Sequence, residues 1–241
     1  MDLSTVHDVP HRRLLTVAGV AGIAYTLSWI AGLAVTAPSP KLTASGAEIT
    51  AALAGHGAAV TAQFALTEGL PAAGLAIVSI ALARAARRSA ATVAAWAALI
   101  AGAMAALISM LQFALGAALA GTASPGTAHL LYEAVNRLDG VKMLTLAVLG
   151  LAAAASGVLP RWLRYTGITL AIAITASGIA YLLLLQGLTV LAAPALVLLL
   201  LFITGTGITV GATRTTVLAA VPAEHQRSSS SPLSALSDAR R

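Results

Sequence analysis

Six long apolar stretches, five of them carrying at most one charged residue, constrain this chain more than anything else in it. They cover residues 14–36, 57–82, 91–120, 128–159, 165–186 and 190–212. Each is long enough, at 1.5 Å of rise per helical residue, to cross a hydrocarbon layer of ~30 Å. A soluble domain could not hide this much apolar surface: the chain is 59% hydrophobic and 9% charged, with a mean hydropathy of +0.91. The expected fold is therefore all-α, a polytopic membrane helix bundle with six transmembrane helices. Abundant alanine and a low aromatic content (4%) suit close, small-residue helix packing in a bilayer.

The punctuation between the stretches orients them. His11, Arg12 and Arg13 precede the first span, Arg84, Arg87 and Arg88 follow the second, and Arg161 and Arg164 flank Trp162 after the fourth. With six antiparallel spans these residues share a side with both chain ends. Of the 14 Lys and Arg residues only Lys41, Arg137 and Lys142 lie elsewhere, so the positive-inside rule places both termini in the cytoplasm. The first span is too long for a signal-peptide core and reads as a retained anchor. The expected organisation is a cytoplasmic segment at 1–13, a transmembrane domain at 14–212 and a disordered cytoplasmic tail at 213–241, where SSSSPLSALSDARR has no core-forming capacity. The basic residues serve as flanks and form no face for nucleic acid, so no nucleic-acid partner is expected. Without cysteine there is no disulfide framework.

Between the first two spans, Ser45 and Glu48 have capping-box spacing and predict a short surface helix running towards His56. Pro71 lies inside the second span and cannot donate to the carbonyl of Thr67, which predicts a kink and a freed acceptor beside Glu68. An intramembrane carboxylate costs roughly 2.5–3.5 kcal/mol on insertion scales and is kept for function or paired within the bundle. Glu68 is thus a candidate proton carrier.

The densest polar stretch is HLLYEAVNRLDGVKM, residues 129–143. Glu133 and Arg137 are spaced i,i+4, and Asp139 and Lys142 i,i+3, so two internal pairs would neutralise all four. Tyr132, Asn136 and Asp139 share a narrow helical arc suited to lining a cavity. Gln63, Glu68, Gln112 and Tyr181, with Ser28 and Trp29, fall at similar depth in the outer half of their spans. Together they predict an outward-facing polar pocket, with Glu68 and Asp139 as its chemically active carboxylates. Gln63, Gln112, Tyr132, Glu133, Asn136, Arg137, Lys142 and Tyr181 are the expected binding residues. His129 and Glu133 have a metal-compatible spacing, but no third ligand or HExxH signature accompanies them, so no metal or cofactor is expected. Gly207 and Gly211 form a GxxxG face for close helix contact or for a homo- or hetero-oligomer.

At NRLDGVKML (136–144), LPRWLRYTG (159–167) and AEITAALAGH (47–56) the chain resembles a broad group of uncharacterised multi-span integral membrane proteins of high-GC bacteria. The resemblance implies a multi-pass protein of the plasma membrane, with the 129–143 stretch as the family's site. Three functions compete: binding or transport of a small or amphipathic molecule with carboxylate protonation, acid/base catalysis on a lipid or isoprenoid, and an accessory subunit role. Few aromatics are expected around the pocket, which weakens a carbocation-cyclising enzyme.

Overall fold

The computed structural model describes residues 17–228. Every element in that range is helical, and six helices are long and apolar enough to cross a membrane. Helix α1 is Val17–Ala34 and a short α2 is Gly46–Leu53. The second span is built from α3 (Gly57–Phe64), a π-helical turn at Ala65–Gly69 and α4 (Leu70–Arg88). The remaining spans are α5 (Thr92–Gly121), α6 (Pro125–Ala155), α7 (Arg161–Leu182) and α8 (Ala192–Ser228), the last two joined through a 3₁₀ turn at Gln186–Leu191. The all-α bundle of six apolar spans expected from the sequence is what the chain forms.

Small residues line many of the helix contacts, and many large aliphatic side chains face outward. Ala95, Ala98, Ala105, Ala153 and Ala180 are buried, whereas Leu27, Ile100, Leu107, Ile172 and Val197 are exposed. In lipid a large aliphatic side chain loses nothing by facing outward, and helices gain most by bringing backbones together. The α6–α7 contact shows this best. A Cβ on Gly150 would fall 2.7 Å from the Gly167 carbonyl oxygen, and one on Gly140 would fall 2.6 Å from that of Gly178. Gly207 of α8 packs in the same way against the backbone of Ala18 in α1. Gly207 and Gly211 are both buried, so at Gly207 the GxxxG face expected to serve an oligomer is already occupied inside the chain. Around these contacts Tyr25, Leu75, Leu146, Leu170, Ile174 and Phe202 form the main core.

The two ends of the bundle differ. At the basic end Arg87 lies 4.2 Å over the Trp96 ring, Arg164 Nε donates to the Ala154 carbonyl at 2.9 Å, and the Ser89 hydroxyl donates to the Ser156 carbonyl at 3.2 Å. The opposite end carries α2. The predicted capping box is present: the Ser45 amide donates to Glu48 Oε2 at 2.7 Å, and the Glu48 amide donates to Ser45 Oγ at 3.3 Å. The Ser45 backbone N–H is the main reason the Glu48 carboxyl sits below its ordinary range. Ile49 and Leu53 bury α2 against Val60, Leu119 and Ala128, and the Leu42 amide donates to Gln186 Oε1 at 2.8 Å.

At the other end of the chain the last apolar span closes at Ala212 and the helix that carries it runs on to Ser228. The expected N-terminal segment 1–13 and the tail beyond residue 228 lie outside the described residues.

Candidate functional site

The site begins with a backbone defect. Pro71 has no N–H to give, and the helix before it widens by one residue into the π turn Ala65–Gly69, which the Leu70 amide closes onto the Ala65 carbonyl. The freed carbonyl that finds a side-chain donor is that of Leu66, not Thr67: Ser28 of α1 reaches across and donates its hydroxyl to it at 2.6 Å. The Thr67 hydroxyl turns back to the Gln63 carbonyl at 2.9 Å. The π turn carries Glu68, which is 6% exposed, into the bundle.

There it meets α6. Lys142 Nζ stands 2.7 Å from Glu68 Oε1 and 2.7 Å from Asp139 Oδ1, bridging two carboxylates from different spans. The i,i+3 pairing of Asp139 with Lys142 was legible in the sequence; Glu68 as the second partner was not. Gln112 of α5, 1% exposed, sends its amide N–H groups to the Val135 carbonyl at 3.1 Å and to Asp139 Oδ1 at 3.4 Å. Three spans thereby converge on one ion cluster. Glu68 Oε2 and Gln112 Oε1 are buried and accept no hydrogen bond of normal geometry, although Ser109 lies beside Glu68. Such groups are rare in a folded interior and call for an explanation.

Above the cluster is a cavity of about 220 Å³. Gln63, Glu68, Gln112, Tyr132, Asn136, Asp139 and Tyr181 all line it, and the Pro38-Ser39-Pro40 segment with Leu53 of α2 bounds it at the α2 end. Tyr132 fastens that segment by donating its hydroxyl to the Pro40 carbonyl. Glu133 and Arg137, expected among the binding residues, do not line this cavity. They pair with each other on the surface, at 2.6 Å, with the arginine half exposed. Lys142 lies beneath the cavity and borders a second space instead. The aromatic expectation is corrected: Trp29, Phe64, Tyr132 and Tyr181 gather around the cavity from four different helices, a convergence that composition cannot reveal.

That second space is an apolar cleft of about 320 Å³ between α1, α6, α7 and α8, lined by Leu33, Met143, Leu146, Ile174, Leu196 and Leu199 among others. Trp29, Asp139 and Tyr181 line both spaces. Among the described residues no group of three or more His, Asp or Glu side chains is placed to hold a metal. His129 lies 3.9 Å from Glu133 on the exposed face of α6. Comparison with protein-family models, curated proteins and solved structures found no match for this chain.

Proposed function

We propose that the protein is a binding or transport protein of the plasma membrane, taking a small or amphipathic molecule into this cavity from the extracytoplasmic side and exchanging a proton at the Glu68–Lys142–Asp139 cluster. The observation that carries this reading is stoichiometric. Two carboxylates share one ammonium at the floor of a partly open cavity, so with all three ionised the cluster holds one surplus negative charge. In a low-dielectric interior a surplus charge is costly, and a proton or a cationic group removes the cost. A cationic ligand and a proton would then compete for the same surplus charge, which is a way to couple one to the other.

The positive-inside rule supports the side of access, because the cavity lies at the α2 end, away from the arginine-rich loops.

The test uses proteoliposomes enclosing a pH-sensitive dye, with empty liposomes as the reference, challenged with small amines, small carboxylates and single-chain amphiphiles. At least one class should give a protein-dependent dye response that Glu68→Gln abolishes. A panel that moves no proton above the empty-liposome level, or moves it equally in Glu68→Gln, overturns the proposal.

A further inference from the structure

The two spaces are arranged as the two halves of one ligand. With Glu68, Asp139 and Lys142 all ionised, the cluster at the floor of the upper cavity holds one surplus negative charge; Gln112 Oε1 is buried without a donor, Glu68 Oε2 has only Ser109 beside it, and several aromatic rings complete the lining. The lower cleft is apolar over most of its lining, with Asp139 and Lys142 on its border, and Leu33, which lines it, is exposed. Trp29, Asp139 and Tyr181 line both. We infer that the ligand is a single-chain amphiphile with a protonated amine head: the ammonium lies in the cavity against Glu68, Gln112 and Asp139, and the alkyl chain lies in the cleft between α1, α6, α7 and α8.

This inference rests on the binding reading above and narrows it to a substrate class. Each half of the ligand answers a separate observation. A primary ammonium offers three N–H donors and no acceptor, which suits Glu68 Oε2 and Gln112 Oε1, while the buried indole N–H of Trp29, also without a partner, is a donor that the ammonium does not satisfy. Its charge balances the cluster's surplus without a proton. Rings such as Trp29 and Tyr181 attract a cation through their faces, the more so where water is scarce. An anionic head would place a second uncompensated negative charge beside Glu68 and Asp139, and a neutral head would leave the first one standing. The cleft, in turn, gives a chain of methylene groups an aliphatic wall that begins where the head group ends.

Trp29 reports on both halves. In a Trp96→Phe/Trp162→Phe background it is the sole tryptophan, and the two replaced rings are exposed, away from the cavity. Nanodisc-embedded protein is titrated with dodecylamine, butylamine and dodecanoate while Trp29 emission is followed. Dodecylamine should give a saturable change with an affinity at least about tenfold above that of butylamine, and dodecanoate should give none. Glu68→Gln should weaken dodecylamine by about tenfold or more. Ala193→Phe, which fills the cleft from an exposed position on α8, should erase the advantage of the long chain while leaving butylamine unchanged.

Equal binding of dodecanoate and dodecylamine overturns the assignment of the head, and equal binding of butylamine and dodecylamine overturns that of the tail. In either case, an amine response lost in Glu68→Gln leaves the broader binding proposal standing. Trp29 blind to all three probes overturns the inference, and the proteoliposome measurement then decides the broader reading separately.

Discussion

Replacing Lys142 by methionine leaves an unbranched side chain one atom shorter and deletes the ammonium that Glu68 and Asp139 share. At 2.7 Å from each carboxylate oxygen, the ammonium gains roughly 6 kcal/mol per contact at an effective dielectric of about 20. The two oxygens lie no farther apart than twice that distance, so they repel each other by about 3 kcal/mol or more on the same scale. These gross figures are offset by the several kcal/mol that each ion lost on leaving water. With the lysine gone, both attractions vanish while the repulsion and the desolvation of two carboxylates remain. Removing one partner from a buried pair costs about 3–5 kcal/mol, and that is the expected loss for Lys142→Met. The assay is unfolding by SDS titration in mixed micelles, read by circular dichroism. The triple variant Glu68→Gln/Asp139→Asn/Lys142→Met should recover most of the loss, because it leaves no uncompensated charge. A single variant within about 1 kcal/mol of the parent, or a triple variant as unstable as the single one, would refute the argument.

Three further outcomes follow from separate contacts. Ser28→Ala strands the Leu66 carbonyl beside the π turn and should cost about 1–3 kcal/mol, with faster amide exchange confined to residues 65–70; unchanged exchange there would show that the hydroxyl is not what holds the turn. Gly207→Leu places side-chain atoms into the Ala18 carbonyl and should prevent recovery of folded monomer, as judged by gel filtration in detergent. Loss of an oligomer with an intact monomer would return the GxxxG face to a partner. Ser45→Ala removes the α2 cap, worth about 1 kcal/mol, and should expose the 46–53 segment to protease. Because the folded-state pKa of Glu48 is depressed, its contribution is present above the ordinary carboxylate range and is lost as pH falls through the depressed value. Protection of α2 should weaken towards acid, and Glu48→Gln should flatten that dependence.

What the sequence made legible is what depends on one helix at a time. Span length, the capping box at Ser45 and Glu48, the proline at 71 and the i,i+4 and i,i+3 pairs of the 129–143 stretch are all local, and each is found where spacing put it. What stayed hidden depends on how helices rotate against each other. Nothing in the local pattern says that Lys142 rather than solvent faces Glu68, 74 residues away. Nor does it say that Glu133 and Arg137 turn outward while Asn136 turns in. One signal was available: an unpaired carboxylate in a span needs a partner, and Lys142 is the intramembrane cation left over when Arg137 is assigned to Glu133.

The composition of the cluster carries the functional argument beyond pairing. A clasp that only fixed helix register would need one carboxylate and one ammonium, and replacing such a pair with apolar side chains is often neutral or stabilising. This chain instead holds two carboxylates on one lysine, beside a helix widened ahead of a proline and the buried Gln112 Oε1 without a donor. A single pair would need only the first carboxylate. The second, carried into the bundle by the π turn and lining the cavity, is the group that the proposed cationic ligand would engage.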